Sequence, residues 1–454
     1  MMRKLTRRSR VLAGAVGAGI VLTACGGSDS GGDGGGVELV ISANAAAGGK
    51  NTEEAEWIEN WVIPEFEAAQ SERGVDVDVS FEPSGVDDEQ FKTRLALDLQ
   101  AGSGPDIMTL DGIWVGEFAQ AGYIEPMPDT DWEGWDQIPD AVQQLASFDG
   151  EVYGIPWGTD GRVIFYNKEL FAEAGLDEEW QPTSWADILD AAEALAELDG
   201  VTPVQLNAGT AMGEATTMQG VLPLLAGTGE EIHDGQDWAG ATAGLEEVLG
   251  LYEDIYGAEL GDPVLQQEAQ GRDKSFERFA AGEVGMLVEG DYFWRSVVNP
   301  EGGTAPMENR DEAVGWALIP AVEPGAGVNG QDYVSTSGGS VRVANPAGDN
   351  AELAQELLTF MNSAEAITAA AEGDTRITAR TDVNDQVLSG DPMLGFIADE
   401  VLPITTFRPP LAEYPQVSVL LQEATGSVSS GDSSPAEAAA TYEEGVGEVA
   451  GGGD

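Results

Sequence analysis

An α/β protein with a largely parallel sheet is the fold class this 454-residue chain predicts. Short β-type runs alternate with helical spacing over residues 37–101. The strand-like run Pro105-Asp106-Ile107-Met108-Thr109-Leu110 ends at Asp111-Gly112 and runs into a helix, and beyond such strand ends open α/β sheets hold their ligands. About 410 residues follow the first glycine-rich stretch, ample for two lobes. Cys25 is the one cysteine, so no intrachain disulfide can form and stability must come from an apolar core.

The amino terminus reads as an export leader. Arg3, Lys4, Arg7, Arg8 and Arg10 precede an apolar run of 11 residues, 11–21, and then Leu22-Thr23-Ala24-Cys25. That order of basic, apolar and small residues is a signal peptide. The apolar run falls short of the roughly 20 residues that span a bilayer. The Leu-Thr-Ala-Cys ending resembles a bacterial lipobox, which implies cleavage before Cys25 and lipid on its sulfur, with the protein held outside the cell at its membrane. Arg7-Arg8 fits twin-arginine export, and a basic leader fits general secretion equally. Residues 26–36, glycine with serine and aspartate, cannot bury a core and read as a flexible leash.

The formal charge is 20 − 81 = −61, and removing the leader's five cations leaves 15 − 81 = −66. Nucleic acid is excluded as a natural partner. A charge of this size repels itself unless it is screened, and at 1 M salt the screening length shrinks to about 3 Å. A saline or otherwise ion-rich habitat is the expectation, and Tm is predicted to rise between low salt and 1 M salt. A Tm that stays flat or falls contradicts it.

Val37-Glu38-Leu39-Val40-Ile41 opens the domain as a strand bounded by glycine and by Ser42-Ala43-Asn44. The helical stretch after it sets Trp57 and Trp61 four apart on one face. Within it Asn51 and Glu54 have the spacing of a cap and its N3 partner, and Pro64 should kink or divide the helix. Residues 75–81 alternate apolar and polar as a half-buried strand, and 87–101 return to helical spacing. A helix over 114–121 follows the Pro105 strand. Tyr153-Gly154-Ile155-Pro156-Trp157-Gly158 leads into an apolar strand at 163–166. A helix starts near Ser184, with Asp187 at N3, and runs to about residue 198. Glycine-broken helical patterns fill 201–270. The 276–281 helix stops at Gly282, and the 284–288 strand delivers Glu289-Gly290-Asp291-Tyr292-Phe293-Trp294. Strands at 314–319 and 339–343 precede a helix over 352–361. Residues 427–434 read as a loop and 435–449 as a helix opened by proline.

Six stretches, in this order, resemble the extracellular solute-binding proteins of ABC importers, in particular the carbohydrate-binding group. They are Gly104-Pro105-Asp106-Ile107 with 118–124; Tyr153-Gly154-Ile155-Pro156; residues 165–176; Pro182-Thr183-Ser184-Trp185; residues 279–286 before Gly290; and Val314-Gly315-Trp316-Ala317-Leu318-Ile319-Pro320. The resemblance implies a two-lobe periplasmic-binding-protein-like fold with the ligand in the cleft between lobes. It implies crossings near Ile155-Pro156, near Ser337-Gly338 and within 385–395. The expected layout is leader 1–24, lipid-anchored linker 25–36, lobe one 37–155 with 338–390, lobe two 156–337 with 391–447, and a frayed tail at 448–454. The implied role is capture of a mono- or oligosaccharide by hinge closure and delivery to permease subunits, by a monomer with no cofactor and no metal.

Sugars present hydroxyls, which need paired donors and acceptors, and flat C–H faces, which pack on aromatic rings. Candidate ligand residues are therefore carboxylates and aromatics at the rim. Asp160 lies six residues before Tyr166, where the carbohydrate-binding relatives have a sugar-contacting acid. Asp111 and Trp114 follow the Pro-Asp strand, and Trp114 fits a core position equally. Asn44 ends the first strand. Of Tyr292 and Trp294, one should face the cleft and the other the core. Trp157 is expected to stack on ligand at the cleft floor. Arg408 is included because an arginine fork holds a hydroxyl pair or a carboxylate; for it, as for Arg162 and Arg376, a salt bridge to one of the many acids is the alternative.

Peptide, polyamine and iron binders share the two-lobe plan and stay open as alternatives. An exported glycoside hydrolase, which needs two carboxylates flanking a sugar bond, is the enzyme alternative. His233 is the sole histidine, beside Asp234-Gly235, so a histidine-rich metal site is impossible.

Overall fold

The computed structural model of the chain describes residues 36–451 apart from 48–50, 87, 129, 131, 269, 349 and 374. The leader, Cys25 and the leash up to residue 35 lie outside the described residues. In chain order the strands are β1 Val37–Ala43, β2 Val77–Pro83, β3 Ile107–Asp111, β4 Ser147–Phe148, β5 Glu151–Val152, β6 Ile155–Thr159 and β7 Arg162–Asn167. They continue as β8 Thr202–Gln205, β9 Val284–Gly290, β10 Val314–Ala317, β11 Ile319–Pro320, β12 Tyr333–Ser337, β13 Gly339–Ala344 and β14 Thr405–Phe407.

The first lobe is built on a five-stranded sheet ordered β2-β1-β3-β13-β6. The pairs β1–β2 and β1–β3 are parallel, and β13 runs antiparallel to both β3 and β6. Leu39, Ile41 and Ala43 alternate along β1 and are fully buried, which is why this run becomes an inner strand. The second lobe carries β10-β7-β9-β8, with a three-stranded sheet β11-β12-β14 beside it. Its core is made by the helices Trp185–Ala196, Ala243–Gly257, Tyr414–Ser429 and Pro435–Gly451, packed through Ile188, Leu249, Tyr252 and Leu421 among others.

Local chemistry explains where the elements start and stop. Ser184 Oγ accepts from the Asp187 N–H while the Asp187 carboxylate accepts from the Ser184 N–H, a reciprocal cap worth about 1 kcal/mol. Asn51 does not cap as its spacing suggests. It sits at φ 47° with no side-chain cap bond and donates instead to the Asn44 carbonyl at 3.0 Å. Its supposed partner Glu54 turns inward and accepts from Thr109 Oγ1 at 3.3 Å. Pro64 falls in the first turn of the helix Ile63–Glu72, directly after a π-helical turn at Ile58–Val62. The wider turn accommodates a residue that has no N–H to donate, so the rod continues rather than breaking.

Three expected boundaries move. Residues 155–159 pair with β13 in the first sheet, so the chain leaves that sheet after Thr159, not at Ile155. The last helix runs to Gly451, so residues 448–451 are helical rather than frayed. Similarly, Ser427, Val428 and Ser429 belong to the helix Tyr414–Ser429, which shortens the expected 427–434 loop. Among the described residues no helix is long and apolar enough to cross a membrane.

Candidate functional site

Two strand crossings make the floor between the lobes. One leaves β6 at Thr159 and enters β7 through Asp160-Gly161; the other leaves β12 at Ser337 and enters β13 through Gly338. They are stitched together. Thr159 Oγ1 donates to the Gly338 carbonyl at 2.9 Å, and the Gly338 N–H donates to Asp160 Oδ1 at 2.7 Å. Arg162 Nη1 donates to the same Asp160 oxygen. Burial alone would push the Asp160 carboxyl up, but Arg162, the Gly338 amide and Arg408 together hold it below the usual aspartate value. Asp160 is therefore an ionised acceptor at neutral pH. Beside it Asp291 exchanges backbone and side-chain bonds with Gly161 and accepts from Arg295 Nε at 2.7 Å.

Arg408 braces the cleft across the two lobes. Its Nη2 lies 3.4 Å from Asp111 Oδ1 at the end of β3, and its Nη1 lies 3.4 Å from Glu214 Oε1 in the second lobe. Both distances are long for hydrogen bonds, so the brace is chiefly electrostatic. Glu214 also accepts from Tyr414 and, at 2.7 Å, from Ser418 Oγ. Asp111 Oδ1 accepts from the Ile113 N–H and caps the turn Gly112–Trp114. The Asp111 side chain keeps 38% of its surface, so it is recessed between the lobes rather than sealed. That recess pushes its carboxyl up against the pull of Arg408.

A cavity of about 460 Å³ opens beside Asp160. Asn51, Glu53, Trp157, Ser340 and Arg376 line it from the first lobe, Arg295 and Ser296 from the second, with Asp160 at the crossing. Trp157 is 5% exposed and lies 6.2 Å from Trp57, with the two rings 5° from parallel. Arg342 packs 4.1 Å from the Trp157 ring centre and Arg376 packs 5.5 Å from it. With guanidinium groups against its ring, Trp157 presents little face to a solute; its indole N–H, buried and without a hydrogen-bond partner among the described residues, is what it has left to offer.

The structure thus brings Asp160, Trp157, Asp111 and Arg408 together. Asn44 lies next to this group, because its carbonyl accepts from the cavity-lining Asn51, while its amide donates to Asp88 at 2.7 Å and to the Val86 carbonyl at 3.1 Å. Three candidate aromatics lie outside this group. Trp114 is 5% exposed in the core behind β3, packed 6.4 Å from Phe91, so it takes the core role. Trp294 is 3% exposed, donates to Asp391 at 2.9 Å and packs on Trp316 and Arg310, so it too is a core residue. Tyr292 is half-buried outside the cavity lining; its hydroxyl donates to Glu289 and Arg272 lies 5.0 Å over its ring. Glu53, Glu214, Arg295 and Ser340 escaped the sequence reading. Arg295 was open to detection, since it stands four residues after Asp291 in a chain with few cations.

Two α/β lobes joined by crossing strands, with a polar cavity at the crossing, define a protein that holds a solute between its lobes. The profile of the bacterial extracellular solute-binding protein family matches residues 49–368, and the chain belongs to that family. A maltooligosaccharide ABC transporter solute-binding lipoprotein of Streptococcus pneumoniae is 24% identical over 303 residues, covering 64% of this chain and 63% of that one. The chain spans 54% to 63% of the length of the first curated relatives it matches. Among solved structures, an ABC transporter solute-binding protein of Thermotoga lettingae bound with α-D-tagatose is 25% identical with a TM-score of 0.67, covering 91% of this chain and 99% of that one. A cyclic α-maltosyl-1,6-maltose binding protein of Arthrobacter globiformis has a TM-score of 0.72 at 22% identity, covering 92% and 100%, and is similar in fold.

Proposed function

We propose that this chain is the sugar-capturing subunit of an ABC importer, tethered outside the cell by lipid on Cys25 and delivering its ligand to membrane permease subunits. The observation that carries the reading is the polar set at the strand crossings. Asp160 sits on the hinge, and Arg408 reaches an acid on each lobe. Such a set offers fixed donors and acceptors to a polyhydroxylated ligand from both sides, and closing the lobes brings them onto it. Family membership and the sugar-binding names of relatives support the same reading. Four carboxylates at or beside the strand crossings are tied to an arginine, which suits binding without turnover: Asp160 to Arg162, Asp291 to Arg295, Asp111 and Glu214 to Arg408.

The test is a thermal-shift screen against mono- and oligosaccharides, with the mixtures then analysed for hydrolysis products. A ligand that binds only the folded state adds RT ln(1 + [L]/Kd), about 2.7 kcal/mol at a hundredfold excess over Kd. A saturable rise in Tm with the sugar recovered intact is expected. Sugar cleavage, or no shift with any saccharide, overturns the reading.

A further inference from the structure

Outside the leader the chain has 15 lysines and arginines against 81 acids. Five of those 15 gather at the cleft. Arg295 and Arg376 line the cavity. Arg162 holds Asp160, Arg342 packs behind Trp157, and Arg408 braces Asp111 and Glu214. A surface this acidic repels anions everywhere else, so the concentration of guanidinium groups at one place needs a reason. Neutralising local acids accounts for part of it, through the pairs already described.

What those pairs leave over is lopsided. Arg162 Nε, Arg408 Nε and Trp157 Nε1 are buried donors with no hydrogen-bond partner among the described residues, and deeper in, Arg342 adds Nε and Nη2. Around the cleft only Asn44 Oδ1 stands as an acceptor in the same condition among the described residues. A buried donor left unpaired costs about 1–3 kcal/mol. Of these residues Trp157 alone lines the cavity, so its N–H is the unpaired donor nearest a bound solute, and the remedy there is a ligand that brings an acceptor. A sugar hydroxyl donates as readily as it accepts, whereas a carboxylate only accepts and matches a guanidinium in charge and shape.

We infer that the captured saccharide is acidic: a uronate-bearing sugar whose carboxylate docks beside Arg376, Arg295 and the Trp157 indole N–H. This deepens the sugar-importer reading and rests on it. The Ser340 hydroxyl and the Asn51 amide from the first lobe, and the Ser296 hydroxyl from the second, complement the remaining sugar hydroxyls, as do the Glu53 and Asp160 carboxylates in the same lining. The cavity, at about 460 Å³, has room for a small saccharide.

Calorimetric titration of the chain with matched pairs decides the point: glucuronate against glucose, galacturonate against galactose, and the short oligomers of each. The uronate of at least one pair is expected to bind at least tenfold tighter than its neutral partner. Arg376→Gln should erase that preference, and Arg376→Lys should keep part of it. If the neutral sugars bind as tightly as the uronates, or better, the acidic ligand is wrong while sugar capture stands. If neither class binds, both readings fall. The comparison on the unaltered chain stands even if a variant folds poorly.

Discussion

Asp160→Asn is expected to raise the Kd for the captured sugar about 10- to 100-fold while the lobes stay folded. The substitution keeps the shape of the side chain and removes its charge. Asp160 accepts from the Gly338 N–H and from Arg162, and its carboxyl is held ionised by those neighbours. An ionised acceptor on a ligand hydroxyl contributes about 1.5–3 kcal/mol, which sets the size of the effect. The neutral amide also leaves Arg162, 5% exposed, without its counter-ion, so a modest fall in Tm should accompany the loss of binding. Calorimetry on the variant, with circular dichroism as the control for folding, checks it. An unchanged Kd would remove Asp160 from the site.

The largest loss of stability should come from Arg342→Ala. Arg342 is fully buried, donates to the Met361 carbonyl at 2.9 Å and to Asn362 Oδ1 at 3.2 Å, and packs 4.5 Å from Trp57 and 4.1 Å from Trp157. Burial pulls its pKa down to about 9, which leaves it charged at neutral pH. Its electrostatic partner is Glu54, whose carboxyl is pushed up by burial and pulled back by Arg342, Arg376 and Thr109. Removing the cation leaves a buried carboxylate with less compensation, at a cost of about 3–5 kcal/mol. The pH dependence follows from the sign of the Glu54 shift. Its folded pKa lies above the unfolded one, so its ionised form costs stability above the folded pKa, and that cost disappears as pH falls through it toward the unfolded value. The destabilisation by Arg342→Ala should therefore be larger at pH 8 than at pH 5. Urea unfolding at both pH values measures it, and equal losses would detach Glu54 from Arg342.

Some of this was readable in the residues because it is decided locally. The Ser184–Asp187 cap needs only its own turn of chain, and the alternation in β1 reports directly which side chains the sheet buries. Asp111 was placed by its position after a strand, and Asp160 by the resemblance to the carbohydrate-binding relatives. The aromatics were not. Whether Trp114, Trp157 or Trp294 meets a solute depends on what distant segments bring against it: Phe91 against the first, Arg342 and Trp57 against the second, Asp391 and Arg310 against the third. Asn51 failed for a related reason. Its amide had two partners within reach, the helix it precedes and the carbonyl of Asn44, and the tertiary partner prevailed.

The order of strands in the first sheet has a consequence for how the chain matures. β13 lies between β3 and β6 and supplies a partner for both, yet it comes at residues 339–344, after every strand of the second lobe except β14. Chains fold from the amino terminus as they are synthesised, and contacts between remote segments form slowly. Until Ala344 has emerged, β6 has no neighbour in its sheet and Arg342 is not there to pack against Trp57 and Trp157. Neither lobe can therefore close early: the first waits for β13, and the second waits for β14 and for the helices Tyr414–Ser429 and Pro435–Gly451, so the chain stays threadable through most of its length.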